Sequence, residues 1–263
     1  MHPILLKFGK VTIYTYGFFI AMAFLAGLLV AKAEAKRLGE APDRLTDLCF
    51  YVLIAAIAGS RLFYVAINPR LFLSDPFEIL KIWKGGLVFY GGFIAAMVTT
   101  IVYLKHRQMS LWRTADIVTP SLAVGQTLGR LGCFFAGCCY GTACDLPWAV
   151  TFRHPDSLSP IGTPLHPSQL YHALGNLFIF GVVWYFRPLK KFNGQLFWMY
   201  VLLYGVIRAF LEVFRGDFRG YMLWGILSVS QMIGCIMGGI AVVMMVILSR
   251  GARHQVQSSP VKQ

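Results

Sequence analysis

Long apolar runs, separated by short polar stretches, dominate the sequence. Seven of them reach the length that a helix needs to cross a bilayer, about 20 residues. They lie at 13–35, 46–67, 86–104, 115–139, 168–187, 194–214 and 224–249. The pattern predicts an all-α fold, a polytopic integral membrane bundle of about seven transmembrane helices. Because the spans use nearly the whole length, we expect a single membrane domain over 1–263.

Polar positions modify this picture in three places. The fourth span carries Gln126, Arg130 and several glycines, which a lipid-facing helix does not tolerate, so we expect this span in the interior. The connection over 140–167 is rich in proline and predicts a loop, with a short strand near 148–152. The polar tail over 250–263 is expected to be disordered.

Composition agrees with a membrane protein. Apolar residues make up 57% of the 263 positions and charged residues 13%, whereas soluble domains carry roughly 25% charged residues. The net charge of +13 would suggest nucleic acid in a soluble protein. Here the basic residues lie mostly in short loops, where membrane topology and anionic lipid headgroups explain them, so we expect no nucleic-acid partner.

The distribution of these basic residues predicts an orientation. The first, third and fifth connections and the C-terminal tail carry more lysine and arginine than the opposite set of loops. By the positive-inside rule, the C-terminus is then cytoplasmic and the N-terminus lies outside. The 140–167 loop falls on the outer face.

Three arginines lie inside predicted spans: Arg61, Arg130 and Arg208. An arginine that faces lipid unpaired costs about 2.5–3.5 kcal/mol on insertion scales, so such residues normally face a cavity or a partner. Glu212 lies four residues after Arg208, which puts both on one helix face, with Tyr204 one turn earlier. A purely structural pair that locks two helices is one interpretation of Arg208 and Glu212.

The charge count suggests another interpretation. Three guanidiniums with one obvious carboxylate at membrane depth leave positive charge unmatched. A phosphate or carboxylate accepts bidentate bonds from arginine, and the abundant anion at this depth is a phospholipid headgroup.

Four cysteines are clustered, at Cys133, Cys138, Cys139 and Cys144. Their spacing is not that of a familiar zinc or iron–sulfur site, so we expect no metal. Thiols packed in the bundle are the favoured interpretation. A disulfide on an oxidising outer face is the alternative.

Several short motifs follow one another along the chain. They are Tyr14-Thr15-Tyr16-Gly17, Gly85-Gly86-Leu87 with Gly91-Gly92, Gly129-Arg130-Leu131-Gly132 running to Gly141, the HPSQLY block at 166–171, Tyr204-Gly205 with Arg208 and Glu212, and Gln231. Each is weak alone. Together and in this order, over most of the chain from 14 to 231, they resemble one family, the bacterial prolipoprotein diacylglyceryl transferases.

The resemblance implies an activity in the bacterial inner membrane. The family transfers the diacylglyceryl group of phosphatidylglycerol to the lipobox cysteine thiol of a prelipoprotein and releases glycerol 1-phosphate. The implied partners are phosphatidylglycerol, prelipoprotein signal peptides with a lipobox cysteine, and membrane lipids. No metal or nucleotide cofactor is implied.

The resemblance also implies roles by position. Arg130 and Arg208 would bind the lipid phosphate and stabilise the departing charge, and Glu212 would orient Arg208. Tyr16 and Tyr204 would line the pocket. Further candidates for substrate binding are Gly141, Cys133, His166, Gln169 and Arg61, the last near a family glycine–arginine pair.

The chain departs from the family where a proton acceptor is expected. Typical members carry a histidine in the third span, where this sequence has Tyr90, and an asparagine and a glutamate where it has Cys133 and Cys138. Tyrosine is a poor base at neutral pH. Tyr90 is nevertheless the catalytic candidate at that position, and His166 and His172 are the alternatives in the neighbouring block.

Two other interpretations stay open. The altered signature segment suggests a paralogue of the same fold that acts on a different lipid or acceptor. A non-enzymatic transporter of anionic lipid would use the arginines to bind the anion during passage, although the sequence has no obvious inverted repeat.

Overall fold

The computed structural model describes residues 2–9, 11–73, 75–216 and 228–258 of the chain. Within them, helices predominate and the strands form two separate two-stranded antiparallel sheets. The helices are α1 (Thr15–Arg37), α2 (Pro42–Ile67), α3 (Pro69–Leu73), α4 (Phe89–His106), α5 (Leu111–Ala136), α6 (Ser168–Phe186), α7 (Gln195–Leu211) and α8 (Val229–Ser258). The strands are β1 (Ile4–Phe8) paired with β2 (Val11–Tyr14), and β3 (Val150–Thr151) paired with β4 (Pro164–Leu165). The prediction of an all-α membrane bundle is confirmed.

Four helical stretches are long and apolar enough to cross a membrane: Thr15–Arg37, Pro42–Ile67, Gln195–Phe214 and Val229–Arg253. They coincide with the first, second, sixth and seventh predicted spans. The other three predicted spans coincide with α4, α5 and α6, and α5 carries Asp116 and Arg130 within the helix. The number of seven transmembrane helices therefore stays a prediction.

The chain forms two compact units. The larger consists of Met1–Val30 and Ala115–Gln263, and the smaller of Ala31–Thr114. In the smaller unit, α2 packs on α4 through glycines. A Cβ atom at Gly59 would lie 2.6 Å from the carbonyl oxygen of Gly91, so the two backbones touch, as is typical of helix pairs in membranes.

In the larger unit, α7 packs on α8 in the same way. A Cβ atom at Gly205 would lie 2.9 Å from the carbonyl oxygen of Gly234. The core of this unit contains residues of α5, α6 and α7, namely Ala123, Ile179, Val183, Leu196 and Tyr200. Many large apolar side chains along the helices remain exposed, including Leu29 at 68%, as expected of helices whose surrounding solvent is lipid.

The N-terminal end of α5 is fixed to the start of α7 by a buried carboxylate. Asp116 accepts hydrogen bonds from the backbone N–H groups of Gly194 (2.8 Å) and Phe197 (3.1 Å) and from Nζ of Lys190 (3.0 Å). The carboxylate thus caps the N-terminus of α7, where unpaired N–H groups favour negative charge. Its own charge is balanced by Lys190.

The 140–167 connection and the polar tail both contain regular secondary structure. The 140–167 connection contains the short strands β3 and β4, and β3 lies inside the predicted strand region 148–152. In the polar tail, α8 continues to Ser258, because no proline interrupts the chain between 229 and 258. Residues 259–263 lie outside the described residues.

Candidate functional site

Three arginines of the larger unit surround one buried histidine. Arg130 lies near the C-terminal end of α5, Arg208 near that of α7, and Arg215 follows the 3₁₀ turn Glu212–Phe214. All three are within electrostatic range of the side chain of His172, which is 2% exposed. The larger unit therefore has a strongly positive site where the ends of these elements meet.

Arg208 forms the predicted ion pair with Glu212. Its Nη2 lies 3.3 Å from Oε2 of Glu212 and donates a hydrogen bond of 3.3 Å to Oγ of Ser230 in α8. The side chains of Arg208 and Glu212 are only 12% and 9% exposed. The other terminal nitrogen, Nη1, is buried and has no hydrogen-bond partner among the described residues. One donor of this guanidinium is thus held by the protein and another is left for a ligand.

Arg215 is the arginine that the sequence analysis missed. Its side chain is 2% exposed, its Nε lies 4.0 Å from Oε2 of Glu212, and it also contacts the thiol of Cys139. In the sequence, Arg215 follows the sixth apolar run directly and falls among the charges of a connecting loop. The usable signal was its spacing of three residues from Glu212, which one turn of helix converts into proximity.

Arg130 is the least constrained of the three. It is partly buried, and among the residues that the structure describes its side chain makes no hydrogen bond or ion pair. Gly132 lets α5 approach α1 here, since a Cβ atom at this position would lie 2.9 Å from Cβ of Phe19 and 3.3 Å from the ring of Tyr16. The hydroxyl of Tyr16 is within electrostatic range of Arg130, so this predicted pocket residue does lie beside the arginine.

The cysteine cluster adjoins the arginines. The sulfur atoms of Cys133, Cys138 and Cys139 all lie within 4.8 Å of one another. Cys139 is within electrostatic range of Arg130 as well as in contact with Arg215. No disulfide joins any of the six cysteines in the described part of the chain.

The start of α6 holds the cysteine loop in place. Oγ of Ser168 donates to the carbonyl oxygen of Cys139 (2.7 Å), and Nε2 of Gln169 donates to that of Cys138 (2.9 Å). Gln169 is fully buried, and its Oε1 finds no partner among the described residues. The HPSQLY block is therefore more than a helix start, because its polar side chains support the site.

Gly141 joins three segments of backbone. Its N–H donates to the carbonyl oxygen of His166 (3.1 Å), and a Cβ atom on Gly141 would lie 2.5 Å from Cβ of His166 and 2.7 Å from the carbonyl oxygen of Phe214. No residue with a side chain fits there. The ring of His166 packs on Phe214, with its Nδ1 3.2 Å from the hydroxyl of Tyr171. Gly141 and His166 thus position the segment that carries Glu212 and Arg215.

Tyr204 lies on the same helix as Arg208, one turn before it. It stacks on Tyr200 with 5.9 Å between ring centroids and is within electrostatic range of Arg208. Gln231, from the last motif, donates through Nε2 to the carbonyl oxygen of Ala209 (3.3 Å). This bond ties α8 to the turn of α7 that carries Arg208.

Arg61 and Tyr90 belong to the smaller unit. Arg61 is 6% exposed, and its guanidinium donates to the carbonyl oxygens of Glu78 (2.5 Å), Ile79 (2.9 Å) and Gly85 (2.7 Å). These bonds solvate its charge and fasten the 78–86 connection. Tyr90, in the first turn of α4, is 68% exposed. The third arginine beside Arg130 and Arg208 in the larger unit is thus Arg215.

This arrangement is suited to bind an anion. Glu212 lies beside the guanidiniums of Arg208 and Arg215, and Arg130 adds a third positive charge within electrostatic range of Arg208. Nη1 of Arg208 and Nε2 of His172 are buried without a hydrogen bond to any described residue, and both can donate to an anion. A buried polar atom left unpaired costs about 1–3 kcal/mol, so a ligand that bonds these atoms gains by relieving that cost.

Comparison with known proteins gives a consistent result. A family model described as prolipoprotein diacylglyceryl transferase matches residues 3–247. Proteins named phosphatidylglycerol–prolipoprotein diacylglyceryl transferase are similar over most of their length. The one from Clostridium tetani is 36% identical over 234 residues, 89% of this chain and 92% of that protein. The one from Finegoldia magna is 37% identical over 85% of this chain and 86% of its own, and that from Bordetella avium 32% over 96% and 97%.

Proposed function

Because this chain belongs to the prolipoprotein diacylglyceryl transferase family, we propose that it is a transferase that moves the diacylglyceryl group of phosphatidylglycerol onto a prolipoprotein. Its apolar helices and its family make it an integral membrane protein of bacteria. The proposal rests on two guanidiniums that are within electrostatic range of each other. That of Arg130 has no hydrogen bond to any described residue, and that of Arg208 has one buried terminal nitrogen, Nη1, without such a bond.

The acceptor is the thiol of the lipobox cysteine. Its sulfur forms a bond to a glyceryl carbon of the lipid, and the bond from that carbon to the phosphate oxygen breaks. The products are a diacylglyceryl thioether and glycerol 1-phosphate, and the thiol proton must leave. Negative charge gathers on the departing phosphate, so cations fixed beside it lower the barrier.

Arg130 and Arg208 are the cations that bind this phosphate. Arginine presents parallel N–H donors that match two phosphate oxygens. Glu212 holds Arg208 through Nη2, which leaves Nη1 for the lipid. Arg215 approaches the same carboxylate oxygen of Glu212 and adds positive charge without requiring a bond to the substrate.

The remaining residues of the larger unit position these groups or line the pocket. Tyr16 and Tyr204 line it beside Arg130 and Arg208. Gly141 and His166 hold the Glu212 segment, and Gln169 supports the loop of Cys138 and Cys139, whose sulfurs lie beside that of Cys133. Arg61 and Tyr90 lie in the smaller unit: Arg61 holds the 78–86 connection, and Tyr90 is the catalytic candidate at the position where typical members carry a histidine.

The protein lies in the inner membrane with its N-terminus outside and its C-terminus cytoplasmic. The charge bias of the loops supports this orientation, and it puts the 140–167 connection, and hence the arginine site, towards the outer face. A prelipoprotein reaches that side by its signal peptide, while phosphatidylglycerol and other membrane lipids reach the site laterally.

The test is transfer by the purified full-length chain. The protein in vesicles of phosphatidylglycerol receives a lipobox peptide, and the product is measured by mass spectrometry. We expect a mass gain of one diacylglyceryl group on the cysteine peptide and none on the same peptide with cysteine replaced by serine. No product from a range of lipobox peptides contradicts the proposal. If lipid exchange between vesicles persists without product, the transporter is the correct interpretation. A modified product on another acceptor indicates the paralogue.

A further inference from the structure

The three thiols beside the arginines form a cluster that the proposed reaction leaves unused. Cys133 lies in the last turns of α5, and Cys138 and Cys139 follow the end of that helix. Their sulfur atoms lie within 4.8 Å of one another. Three sulfurs bound to one zinc ion at about 2.3 Å each would be about 3.8 Å apart, so small side-chain rotations close the cluster around an ion.

The backbone of this cluster is held in a conformation that costs energy. Gly137 and Cys139 both have a positive φ, at +79° and +59°. For a residue with a side chain, that region costs about 1–3 kcal/mol and persists only where the surroundings impose it. Here Ser168 and Gln169 bind the carbonyl oxygens of both loop cysteines. The turn folds Cys138 and Cys139 back onto Cys133, and α6 keeps them there.

Two arginines adjoin the cluster. Arg215 contacts Cys139, and Arg130 is within electrostatic range of Cys133 and Cys139. These cations offset the negative charge that three metal-bound thiolates would bring into a partly buried site.

We propose that Cys133, Cys138 and Cys139 bind one zinc ion and leave its fourth coordination position for the lipobox thiol. The inference rests on the proposed function and deepens it, since it names what activates the acceptor. Catalytic zinc sites have three protein ligands and one open position, whereas structural sites are closed by four. Among the described residues the cluster contains three ligands, which matches the catalytic type.

Zinc binding solves the problem of the missing base. A thiol that coordinates zinc loses its proton outright, and that proton passes to water at the outer face. The zinc-bound sulfur then uses its electron pair to form the bond to the glyceryl carbon, while the carbon–oxygen bond breaks and its electrons leave with glycerol 1-phosphate on Arg130 and Arg208. The thioether is a weaker ligand than the thiolate and dissociates. No oxidation or reduction takes place.

Metal content gives the first test. The full-length protein, purified in detergent with zinc supplied and excess removed, should retain about one zinc per chain, as a three-thiolate site requires. Cys133→Ser, Cys138→Ser and Cys139→Ser should each lose it. Cys144→Ser and Cys49→Ser are the matched controls and should keep it. Retention of the same zinc by a variant with all three cluster cysteines replaced would overturn the proposal, as would its absence from the unmodified protein.

Cobalt gives the second test, because Co²⁺ in place of zinc reports its ligands by colour. We expect absorption bands typical of tetrahedral cobalt with thiolate ligands, and a further change when a lipobox peptide is added. The peptide with serine in place of cysteine should leave the spectrum unchanged. An identical spectrum with both peptides would overturn the role of zinc in binding the acceptor. Size-exclusion chromatography of each variant checks that it still folds.

The two proposals fail in distinguishable ways. If zinc-free wild-type protein transfers diacylglyceryl groups at the full rate, the zinc inference is overturned and the proposed function stands. If zinc binds and the peptide changes the cobalt spectrum, but no thioether forms, the coordination stands and the proposed function is overturned.

Discussion

The two ends of α5 hold buried charge in opposite ways. At the N-terminal end, Asp116 is satisfied by two backbone N–H groups and by Lys190, so positive and negative charge balance. Towards the C-terminal end, about 21 Å further along the helix, Arg130 has no bonding partner among the described residues and lies near Arg208 and Arg215. A cluster whose charges balance stabilises the fold, whereas a cluster with excess positive charge can bind an anionic ligand.

Substitutions at the two ends should therefore affect different properties of the protein. Removing one partner from the balanced cluster leaves its counterpart buried and uncompensated, so stability should fall. Removing an arginine from the unbalanced cluster relieves repulsion between like charges, so stability should hold or rise while activity falls. The comparison therefore predicts that stability and activity respond at different ends of one helix.

The largest expected effect is on stability, from Asp116→Ala. The substitution leaves Lys190 without its buried carboxylate and removes the cap of α7, which should cost about 3–5 kcal/mol. Thermal unfolding of the protein in detergent measures it. Asp47→Ala is the control, since Asp47 is 49% exposed and pairs with Arg107 only at 3.9 Å. If both variants unfold at the same temperature, the Asp116 end has no special structural role.

Arg130→Ala should lower the rate of transfer by about 10²–10³-fold, the usual cost of one donor to a developing negative charge. Its unfolding temperature should stay at or above that of the wild type. Arg130→Lys should restore little, because lysine lacks the paired donors of arginine. The control is Arg107→Ala, at an exposed position. Loss of stability together with activity in Arg130→Ala would place Arg130 among the structural residues.

Gly141→Ala should destabilise the protein by about 1–3 kcal/mol, because its new methyl group overpacks the site between His166 and Phe214. Activity should fall too, since the Glu212 segment must move. Gly181→Ala is the matched control, because a Cβ atom there would meet nothing within 4 Å. Equal behaviour of the two variants would show that Gly141 does not position the site.

Tyr90→Phe should have the smallest effect. A general base contributes about 10²–10⁴-fold to a rate, so transfer within roughly tenfold of the wild type removes Tyr90 from the mechanism and is the result we expect if zinc activates the thiol. A loss of more than about 10²-fold would instead make Tyr90 the proton acceptor. Rates should be measured at saturating peptide, so that a change in peptide affinity does not hide a change in the rate of transfer.

Local patterns predicted most of the helices and part of the site. Hydrophobic runs located the long helices of the described residues, and the spacing of four residues between Arg208 and Glu212 predicted their ion pair. The patterns could not show contacts between distant segments. Arg61 is charged and intramembrane by sequence, but its charge is solvated by carbonyl groups of a loop that no pattern assigns to it.

The cysteine cluster is a second feature that depends on contacts absent from the linear pattern. Their linear spacing argued against a metal site, because known motifs are recognised by fixed intervals. The left-handed residues Gly137 and Cys139 bring the three sulfurs together regardless of interval. Backbone conformation at single residues is not encoded in hydrophobic periodicity, so this cluster could be found only in three dimensions.

In the proposed mechanism, the unbalanced arginines recognise the phosphate of an anionic lipid. The most direct test of this recognition is the retention of phosphatidylglycerol relative to phosphatidylcholine by purified protein, measured by native mass spectrometry. We predict that the wild type and Arg107→Ala prefer phosphatidylglycerol and that Arg130→Ala and Arg208→Ala lose this preference. An unchanged preference in both of the latter variants would contradict the account.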